Sequence, residues 1–512
     1  MQSFTRRSWK LKLSGRDNQQ IRYLIHTCQR SVVAINECPQ PLLDQLLALA
    51  SDHPSILSGL LAWSARLRVS SGNDTSNHHH HHHHHHRPQP SPQQATPEDS
   101  SPSSLNGEAL GRHQETVSKM RSMLSRLQPP HDNASDGDVF EALGSCMLLA
   151  VFGFPEQAHN WSVHVAGMIA LVDSLDMARL GSVPLVRYVR TIAAHMDITA
   201  FALNRPEPSQ NKWLNWDICP LETNRWDGTA TFTPFEVSTG YPESLVTVIA
   251  LLSAVVEDTN HADTVVDLSV AEYMQNVCVK MQISNWNGSP EWNSGFFDTS
   301  SPQDPSGAQY WTWRMHAIIA SWDPPEISPR LSSTLSLALT TAWEIIRKAA
   351  HIYLARGGFA TPISSHIHGR SPRVPTGAGQ RNTIRKYIRE IIVGLQHLTS
   401  LAEEQGITIA NAMIWPLTVV GAEIFDDPPL QRELVALFHR LLAYFRIAHL
   451  SQILDLLSEL WRRYAEITTA YSSAALSTLL HLSPGNTASA SDLTQLSLAS
   501  LAAERYLSIP LF

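Results

Sequence analysis

Apolar side chains recur along most of this chain with the spacing of an α-helix. In one clear stripe they fall three, four and seven positions apart, and its members are Leu434, Val435, Phe438, Leu441, Leu442 and Phe445. Residues 161–175 are apolar on almost every side, which is typical of a helix buried all round. Alternating polar and apolar residues, the pattern of half-buried strands, are scarce. The chain is therefore predicted to be all-α, as a multi-helix bundle or a solenoid-like array of helix pairs with long disordered insertions.

A stretch rich in histidine and proline interrupts this pattern at residues 69–107. It contains nine consecutive histidines, 78–86, followed by a run of Pro, Gln and Ser. This composition buries too little apolar surface to offset the entropy lost on ordering, so it predicts a disordered insertion between two helices. We accordingly predict a short basic segment at 1–19, one helical domain with this insertion at 20–475, and a C-terminal tail with a short helix at 476–512.

Turn-forming and acidic residues mark further boundaries. A helix is predicted over 138–154, opened by Asp136 or Asp138 and stopped by Pro155, because acidic side chains favour a helix start and proline cannot continue a helix. Three other stretches lack helical spacing and are rich in polar and turn-forming residues. They are predicted to be irregular and cover 204–239, 284–309 and 359–380.

The charge balance argues against a domain that grips nucleic acid by itself. The chain has 46 acidic residues against 38 Lys and Arg, for a formal net charge of -8, whereas phosphate contacts need a basic surface. No apolar run reaches the roughly 18 residues that a membrane-spanning helix needs. The cysteines are scattered without a Cys-x-x-Cys pair, which predicts neither a zinc site nor a disulfide framework. They are Cys28, Cys38, Cys146, Cys219 and Cys278.

Histidines and glycines offer candidate metal and phosphate sites. His366 and His368 would lie on one side of a strand, but a metal needs further ligands and the prolines around them favour a surface loop. The glycine-rich residues 376–379 follow no predicted strand and lack the Lys-Ser/Thr pair of a phosphate-binding loop. The histidine run 78–86 is interpreted as part of the insertion. No catalytic, metal-binding or cofactor-binding residue is predicted, and no cofactor.

Charged and aromatic clusters offer candidate contact surfaces. Arg381, Arg385 and Arg389, with Lys386 beside them, fall on one helix face, which fits an acidic partner or phosphate but is more often a solvated face. His164, in an apolar helix, is interpreted as a hydrogen-bonded core histidine. Two groups of tryptophans fit either a ligand groove or the covering of the core beneath long loops. They are Trp213, Trp216 and Trp226, and Trp286, Trp292, Trp311 and Trp313.

Short phrases, taken in order, carry a resemblance to a known family. The clearest is Ile-Trp-Pro-Leu at 414–417, followed by Gly421, Ala422 and Glu423 and then by an amphipathic helix pair that ends at Trp461. These phrases are similar to the fungal-specific transcription factor domain, over roughly residues 20–465. The earlier phrases lie at 53–65, 108–124, 138–152, 161–171, 187–200, 239–245 and 343–354.

The resemblance implies a nuclear transcription regulator that controls a metabolic or secondary-metabolite gene set. Its expected partners are other transcription regulators or a second copy of the chain. Members of that family usually begin with six cysteines that hold two zinc ions, whereas the first 30 residues here hold only Cys28. Two explanations of this departure stay open: either an upstream exon with the zinc cluster is missing from the sequence, or the chain is a regulator without a cluster that acts through partners. Two alternatives stay open, namely a helical ligand-binding protein or enzyme with a tryptophan-lined pocket, and a scaffold without a link to DNA.

Overall fold

The computed structural model describes most of the helical body of the chain. The described residues are 13–28, 34–35, 41–72, 102–127, 135–153, 161–181, 183–205, 209–216, 232–260, 268–280, 308–329, 331–361, 378–445, 449–479 and 495–511.

Helices account for nearly all of these residues. In the first half they are α1 (Gly15–Thr27), α2 (Pro41–Leu49), α3 (Pro54–Gly72), α4 (Pro102–Leu127), α5 (Asp136–Gly153), α6 (Trp161–Asp173), α7 (Met177–Leu180), α8 (Pro184–Asp197), α9 (Lys212–Asn215) and α10 (Pro234–Thr239). In the second half they are α11 (Glu243–Asn260), α12 (Leu268–Lys280), α13 (Ala308–Ser321), α14 (Ser333–Arg356), α15 (Ala378–Gln405), α16 (Ile414–Glu423), α17 (Pro428–Phe445), α18 (His449–Leu479) and α19 (Leu498–Glu504). Two 3₁₀ helices, Thr199–Phe201 and Ile409–Met413, and the strands β1 (Ala202–Leu203) and β2 (Ile509–Pro510) complete the described elements.

The predicted all-α class is confirmed. The stripe that was clearest in the sequence lies on α17, which buries Leu434, Leu437, Phe438, Leu441 and Phe445. The apolar stretch near residue 161 forms α6, which ends at Asp173 rather than at 175. The spacing of the apolar residues identifies these helices because it shows which face of each helix is buried.

Helices that follow one another in the chain pack together. Among the first helices, α3 packs on α4 and α5, and α5 on α6. Among the later ones, α14 packs on α15 and α16, and α17 packs on α15 and α18. Between them, α11 contacts the 3₁₀ helix Thr199–Phe201 as well as α13 and α14. One continuous apolar core, from Ile21 to Leu511, results from this packing.

Both ends of the predicted insertion are helical where the structure describes them. Helix α3 continues to Gly72, and α4 already begins at Pro102. Proline is tolerated in the first turn of a helix because its missing N–H needs no partner there. The remaining residues of the insertion, 73–101, lie outside the described part of the chain.

The stretch 204–239, predicted to be irregular, contains the short helices α9 and α10. Helix α10 starts with a capping box, in which the Thr233 side chain accepts from the Glu236 N–H and the Glu236 carboxylate accepts from the Thr233 N–H. Pro234 occupies the first helical position. A capping box is recognised from its own residues, which here are Thr-Pro-x-Glu, and needs no apolar stripe. The helix itself is too short for the spacing of its apolar residues to reveal it.

Helix α5 begins at Asp136, one of the two expected positions, but a serine caps it. The Ser135 hydroxyl accepts from the Asp138 N–H at 3.2 Å, and the Asp138 carboxylate accepts from the Ser135 N–H at 3.3 Å. Asp138 thus helps to start the helix as a first-turn partner of the cap.

The C-terminal segment 495–511 returns to the middle of the body. Strand β2 pairs antiparallel with β1, so that Ala202 lies opposite Pro510. The Trp161 indole donates to the Ser508 carbonyl oxygen at 3.0 Å. Buried apolar side chains fix the segment to the core, and they are Leu496, Leu498, Leu501, Ile509 and Leu511.

No helix in the described part of the chain is both long enough and apolar enough to span a membrane.

Replacing Gly240 by alanine is expected to destabilise the fold more than the same change at Gly406. Both glycines have a left-handed backbone conformation, with φ of 74° at Gly240 and 71° at Gly406. A residue with a side chain is less stable in this conformation by about 1–2 kcal/mol. A Cβ at Gly240 would also collide with Ile409 Cδ1 and lie 2.9 Å from Ala34 Cβ, whereas one at Gly406 would meet nothing within 4 Å. Overpacking should add about 1–3 kcal/mol to the loss for Gly240→Ala.

Urea denaturation of both variants measures this difference, because Gly406→Ala carries the backbone strain without the collision. Equal losses of unfolding free energy in the two variants would show that the close approach of Gly240 to Ile409 has no energetic consequence.

Candidate functional site

Seven aromatic rings from separate elements meet in the middle of the molecule, and we call them the central ring cluster. The Phe201 ring centroid lies 4.7 Å from that of His195, 5.5 Å from that of Tyr241 and 5.5 Å from that of Trp415. The Tyr353 ring lies 5.8 Å from Trp415. Most of these contacts are tilted or edge-on, the arrangement that ring quadrupoles favour. The cluster consists of His195, Phe201, Phe235, Tyr241, Tyr353, Phe359 and Trp415, each at most 5% exposed.

A buried ion pair lies one turn beyond this cluster, at the end of α14. The Nη1 of Arg356 donates to Glu423 Oε1 and to the Ala422 carbonyl oxygen, each at 2.7 Å. The Arg356 side chain is fully buried and that of Glu423 is 9% exposed. Since Ala422 and Glu423 end α16, the guanidinium also satisfies a carbonyl that the helix leaves without an internal partner.

The phrases that carried the family resemblance supply most of the polar contacts around the cluster. The Trp343 indole donates to the Gly240 carbonyl oxygen at 3.0 Å, and the Trp461 indole donates to that of Gly421 at 2.9 Å. The Tyr241 hydroxyl donates to the Ala412 carbonyl oxygen at 2.9 Å. These phrases therefore mark positions where a buried donor holds two elements together.

The opening phrase of the resemblance forms a hydrogen-bonded start for α3. The Glu141 carboxylate accepts from the Ser55 hydroxyl and lies 3.3 Å from His53 Nδ1. The Ser145 hydroxyl donates to the Ser55 oxygen at 2.9 Å. Ser55 thus donates to a carboxylate instead of to the imidazole, which is not the arrangement that activates a serine nucleophile. These residues tie α3 to α5.

Asp197, named in another of the phrases, anchors the loop that follows β1. Its side chain is fully buried and accepts from Arg205 Nη2 at 2.9 Å and from the Gln210 N–H at 3.0 Å. The Ser209 hydroxyl donates to the same carboxylate at 3.1 Å. A carboxylate with several donors is stable in the interior because its desolvation is offset. Asp197 therefore ties Arg205 to Ser209 and Gln210.

Two further histidines form a buried pair between α13 and α14. The Nδ1 atoms of His316 and His351 lie 3.0 Å apart, so one ring donates its proton to the other. Burial lowers the pKa of His316 to about 3. Burial and the neighbouring His316 hold the pKa of His351 well below its usual value. The pair is therefore neutral near pH 7, and the described residues supply it with two ligand atoms where a metal site needs more.

The arginine stripe on α15 is solvent-exposed. Arg381, Arg385, Lys386 and Arg389 are all exposed, and Arg385 Nη2 lies 3.9 Å from Asp426 Oδ2. An exposed pair at that separation contributes little to stability. The exposure of the stripe fits both a solvated face and a contact surface for an acidic partner or phosphate.

The tryptophans proposed as a groove contact several different elements. Trp213 is buried and packs edge-on against Tyr273 at 5.6 Å. Trp216 donates to Asp173 Oδ1 at 2.9 Å. Trp311 packs against Tyr310 at 5.1 Å, which covers the start of α13. Three others, Trp226, Trp286 and Trp292, lie outside the described residues.

Other sequence candidates have mixed outcomes. His164 is partly buried, and burial together with the charge of His113 lowers its pKa to about 4. Among the described residues, no group of three or more His, Cys, Asp or Glu side chains is placed to hold a metal ion. His366, His368, residues 376–377 and the histidine run 78–86 lie outside the described part of the chain. Burial raises the pKa of the Cys146 thiol to about 12, so that thiol stays protonated.

Sequence reasoning missed the Arg356–Glu423 pair and the central ring cluster. Arg356 follows directly on a phrase that was singled out, and Glu423 ends another, but no local pattern couples residues 67 positions apart. The available signal was an arginine directly after the apolar residues 352–355, since a buried arginine needs a partner.

Comparison with known proteins gives one match. The family model described as the fungal specific transcription factor domain matches residues 22–469. No curated protein and no solved structure matches the chain.

Proposed function

This chain belongs to the fungal specific transcription factor domain family, and from that premise we propose that it regulates transcription through its helical body. In this proposal the body recognises other molecules and performs no bond-making chemistry. The observation that carries the proposal is the family match, which runs from α1 into α18 and so spans nearly all of the packed helices.

The charge of the chain supports a division of labour between regulation and DNA reading. A net charge of -8 gives no general attraction to a phosphate backbone. DNA is then contacted by another polypeptide segment or by a partner regulator. We further propose that the chain acts in the nucleus, with other regulators or a second copy of itself as partners, on a metabolic or secondary-metabolite gene set. These finer statements rest on the family alone.

A tethering experiment tests the regulatory role. The full chain is fused to a heterologous DNA-binding domain, and expression of a reporter with the matching operator is compared with that from the DNA-binding domain alone. We expect a several-fold change in reporter expression, because the body then needs no DNA contact of its own. A fusion of equal abundance that leaves the reporter unchanged contradicts the proposal.

A binding experiment tests the division of labour. The purified full chain is titrated against random-sequence duplex DNA and against fragments selected from genomic DNA, at two salt concentrations. We expect weak binding without sequence preference that disappears at the higher salt, since only scattered basic residues are available. Tight, sequence-selective binding by the purified chain would show instead that it reads DNA directly.

A further inference from the structure

Arg356 uses one nitrogen of its guanidinium for hydrogen bonds to the described residues. Its Nη1 donates to Ala422 and Glu423, whereas Nε and Nη2 are buried without a hydrogen-bond partner in that part of the chain. These two nitrogens form one edge of the planar group, which presents two parallel N–H bonds to an acceptor. We call it the Nε–Nη2 edge.

Unpartnered donors are unfavourable in a protein interior, where each one leaves its desolvation uncompensated. Several large donors in this core are satisfied, as the indoles of Trp161, Trp343 and Trp461 show. Arg205, the comparable buried arginine, places both Nη1 and Nη2 on Asp197. Arg356 differs from Arg205 in leaving two adjacent N–H groups of one planar edge without a partner among the described residues, and a single oxygen acceptor from another molecule would complete both.

The charges around Arg356 indicate which acceptor fits. Glu423 already neutralises the guanidinium at 2.7 Å. Since Glu423 already compensates the charge of the guanidinium, a further anion would add uncompensated negative charge in a buried place. A neutral oxygen, such as a carbonyl, accepts the two N–H bonds without that disadvantage.

The neighbouring side chains indicate the rest of the molecule. Tyr353 lies three residues before Arg356 and hence on the same helix face. Its ring centroid is 5.1 Å from that of Phe359 and 5.8 Å from that of Trp415. The Trp415 Nε1 is itself buried without a hydrogen-bond partner in the structure. Aromatic surface next to two unpartnered donor groups is typical of sites for apolar molecules that carry a few oxygens.

We propose that the Nε–Nη2 edge of Arg356 binds a carbonyl oxygen of an uncharged, largely apolar small molecule that packs on Tyr353 and Phe359. The C-terminal segment lies over this region, because the Ala499 N–H donates to the Phe359 carbonyl oxygen at 3.2 Å. Binding of this kind goes beyond the proposed regulatory role and is measured on the purified chain. Its failure leaves the tethering result unaffected.

Saturation-transfer NMR on the full chain tests the site with four probes of similar size. Propiophenone and ethyl benzoate carry a neutral carbonyl, benzoate carries a charge, and propylbenzene carries no oxygen. We expect the two neutral carbonyl compounds to bind in preference to benzoate and propylbenzene. Arg356→Lys keeps a positive charge for Glu423 but lacks the planar edge, so it should weaken binding of the carbonyl probes about tenfold.

Two controls separate loss of the site from loss of the fold. Far-UV circular dichroism establishes that Arg356→Lys stays helical, and the double variant Arg356→Met/Glu423→Leu provides a second folded protein without the edge. Arg205→Lys, at the other buried arginine, should leave carbonyl binding unchanged. Three results would each overturn the proposal. They are no saturation transfer to either carbonyl probe, equal saturation transfer with Arg356→Lys and the unchanged protein, and preferential binding of benzoate. The first result would mean that no carbonyl ligand occupies the edge and that solvent alone completes it.

Discussion

Acidification from about pH 7.5 to about pH 5 is expected to lower the free energy of unfolding, and three of the buried histidines alone should account for about 6 kcal/mol. Burial lowers the pKa of His195 and His316 to about 3 and that of His449 to about 4, from 6.5. Below about pH 6.5, these histidines therefore bind protons in the unfolded chain but stay neutral in the folded chain. Stability is fully present above pH 6.5 and is lost as the pH falls towards the folded-state values, by about 2 kcal/mol for each histidine at about pH 5.

Urea denaturation at several pH values measures this loss, and the slope of unfolding free energy against pH counts the protons taken up. His195→Leu should lower that slope by one proton. Phe201→Leu, which alters the ring next to His195, should reduce stability equally at every pH and keep the slope. Carboxylates act in a lower window, since hydrogen bonds from Arg462 and Arg463 lower the pKa of Glu459 to about 2. Unfolding free energies that stay constant between about pH 6.5 and about pH 5 would contradict the neutral burial of these histidines.

The second large expected effect is a loss of unfolding free energy when one partner of the Arg356–Glu423 pair is removed. Glu423→Ala leaves the guanidinium fully buried with its charge uncompensated, which is expected to lower the free energy of unfolding by about 3–5 kcal/mol. Removal of both charges in Arg356→Met/Glu423→Leu should cost far less, because neither group then requires a partner. Urea denaturation of Arg356→Met, Glu423→Leu and the double variant forms the cycle that measures this coupling.

An exposed pair provides the matched control. Arg440 Nη2 lies 2.6 Å from Glu403 Oε2, with both side chains more than a third exposed. Glu403→Ala is expected to change stability by about 0–1 kcal/mol because solvent screens the pair. If Glu423→Ala lowered the free energy of unfolding no more than Glu403→Ala does, the guanidinium of Arg356 would have to be accessible to solvent in the protein.

Local sequence patterns predict the helices of this protein well because the spacing of the apolar residues shows which face of each helix is buried. The stripe on α17 and the apolar run of α6 were identified for that reason. Helix α10 was missed because it has six residues and is defined by its cap. A length of six is too short for a helical stripe to stand out.

Long-range arrangement could not be predicted in the same way. The phrases at 239–245, 343–354 and 414–423 were recognised from a family resemblance, but their meeting around Tyr353 and Trp415 depends on packing that no local pattern encodes. The Arg356–Glu423 pair and the contact of Trp161 with Ser508, 347 residues later, show the same limit. The candidate site was therefore found only from the three-dimensional structure.

The return of the C-terminal segment has a consequence for biosynthesis. Residues 495–511 leave the ribosome after every residue that they contact, including Trp161, whose indole donates to the Ser508 carbonyl oxygen. The Leu511 N–H likewise reaches the Phe201 carbonyl oxygen, at 2.8 Å, only at that stage. Contacts over such separations form slowly. Until residues 495–511 have emerged, the apolar surface that they cover in the folded protein is exposed on the nascent chain, and such exposure favours aggregation.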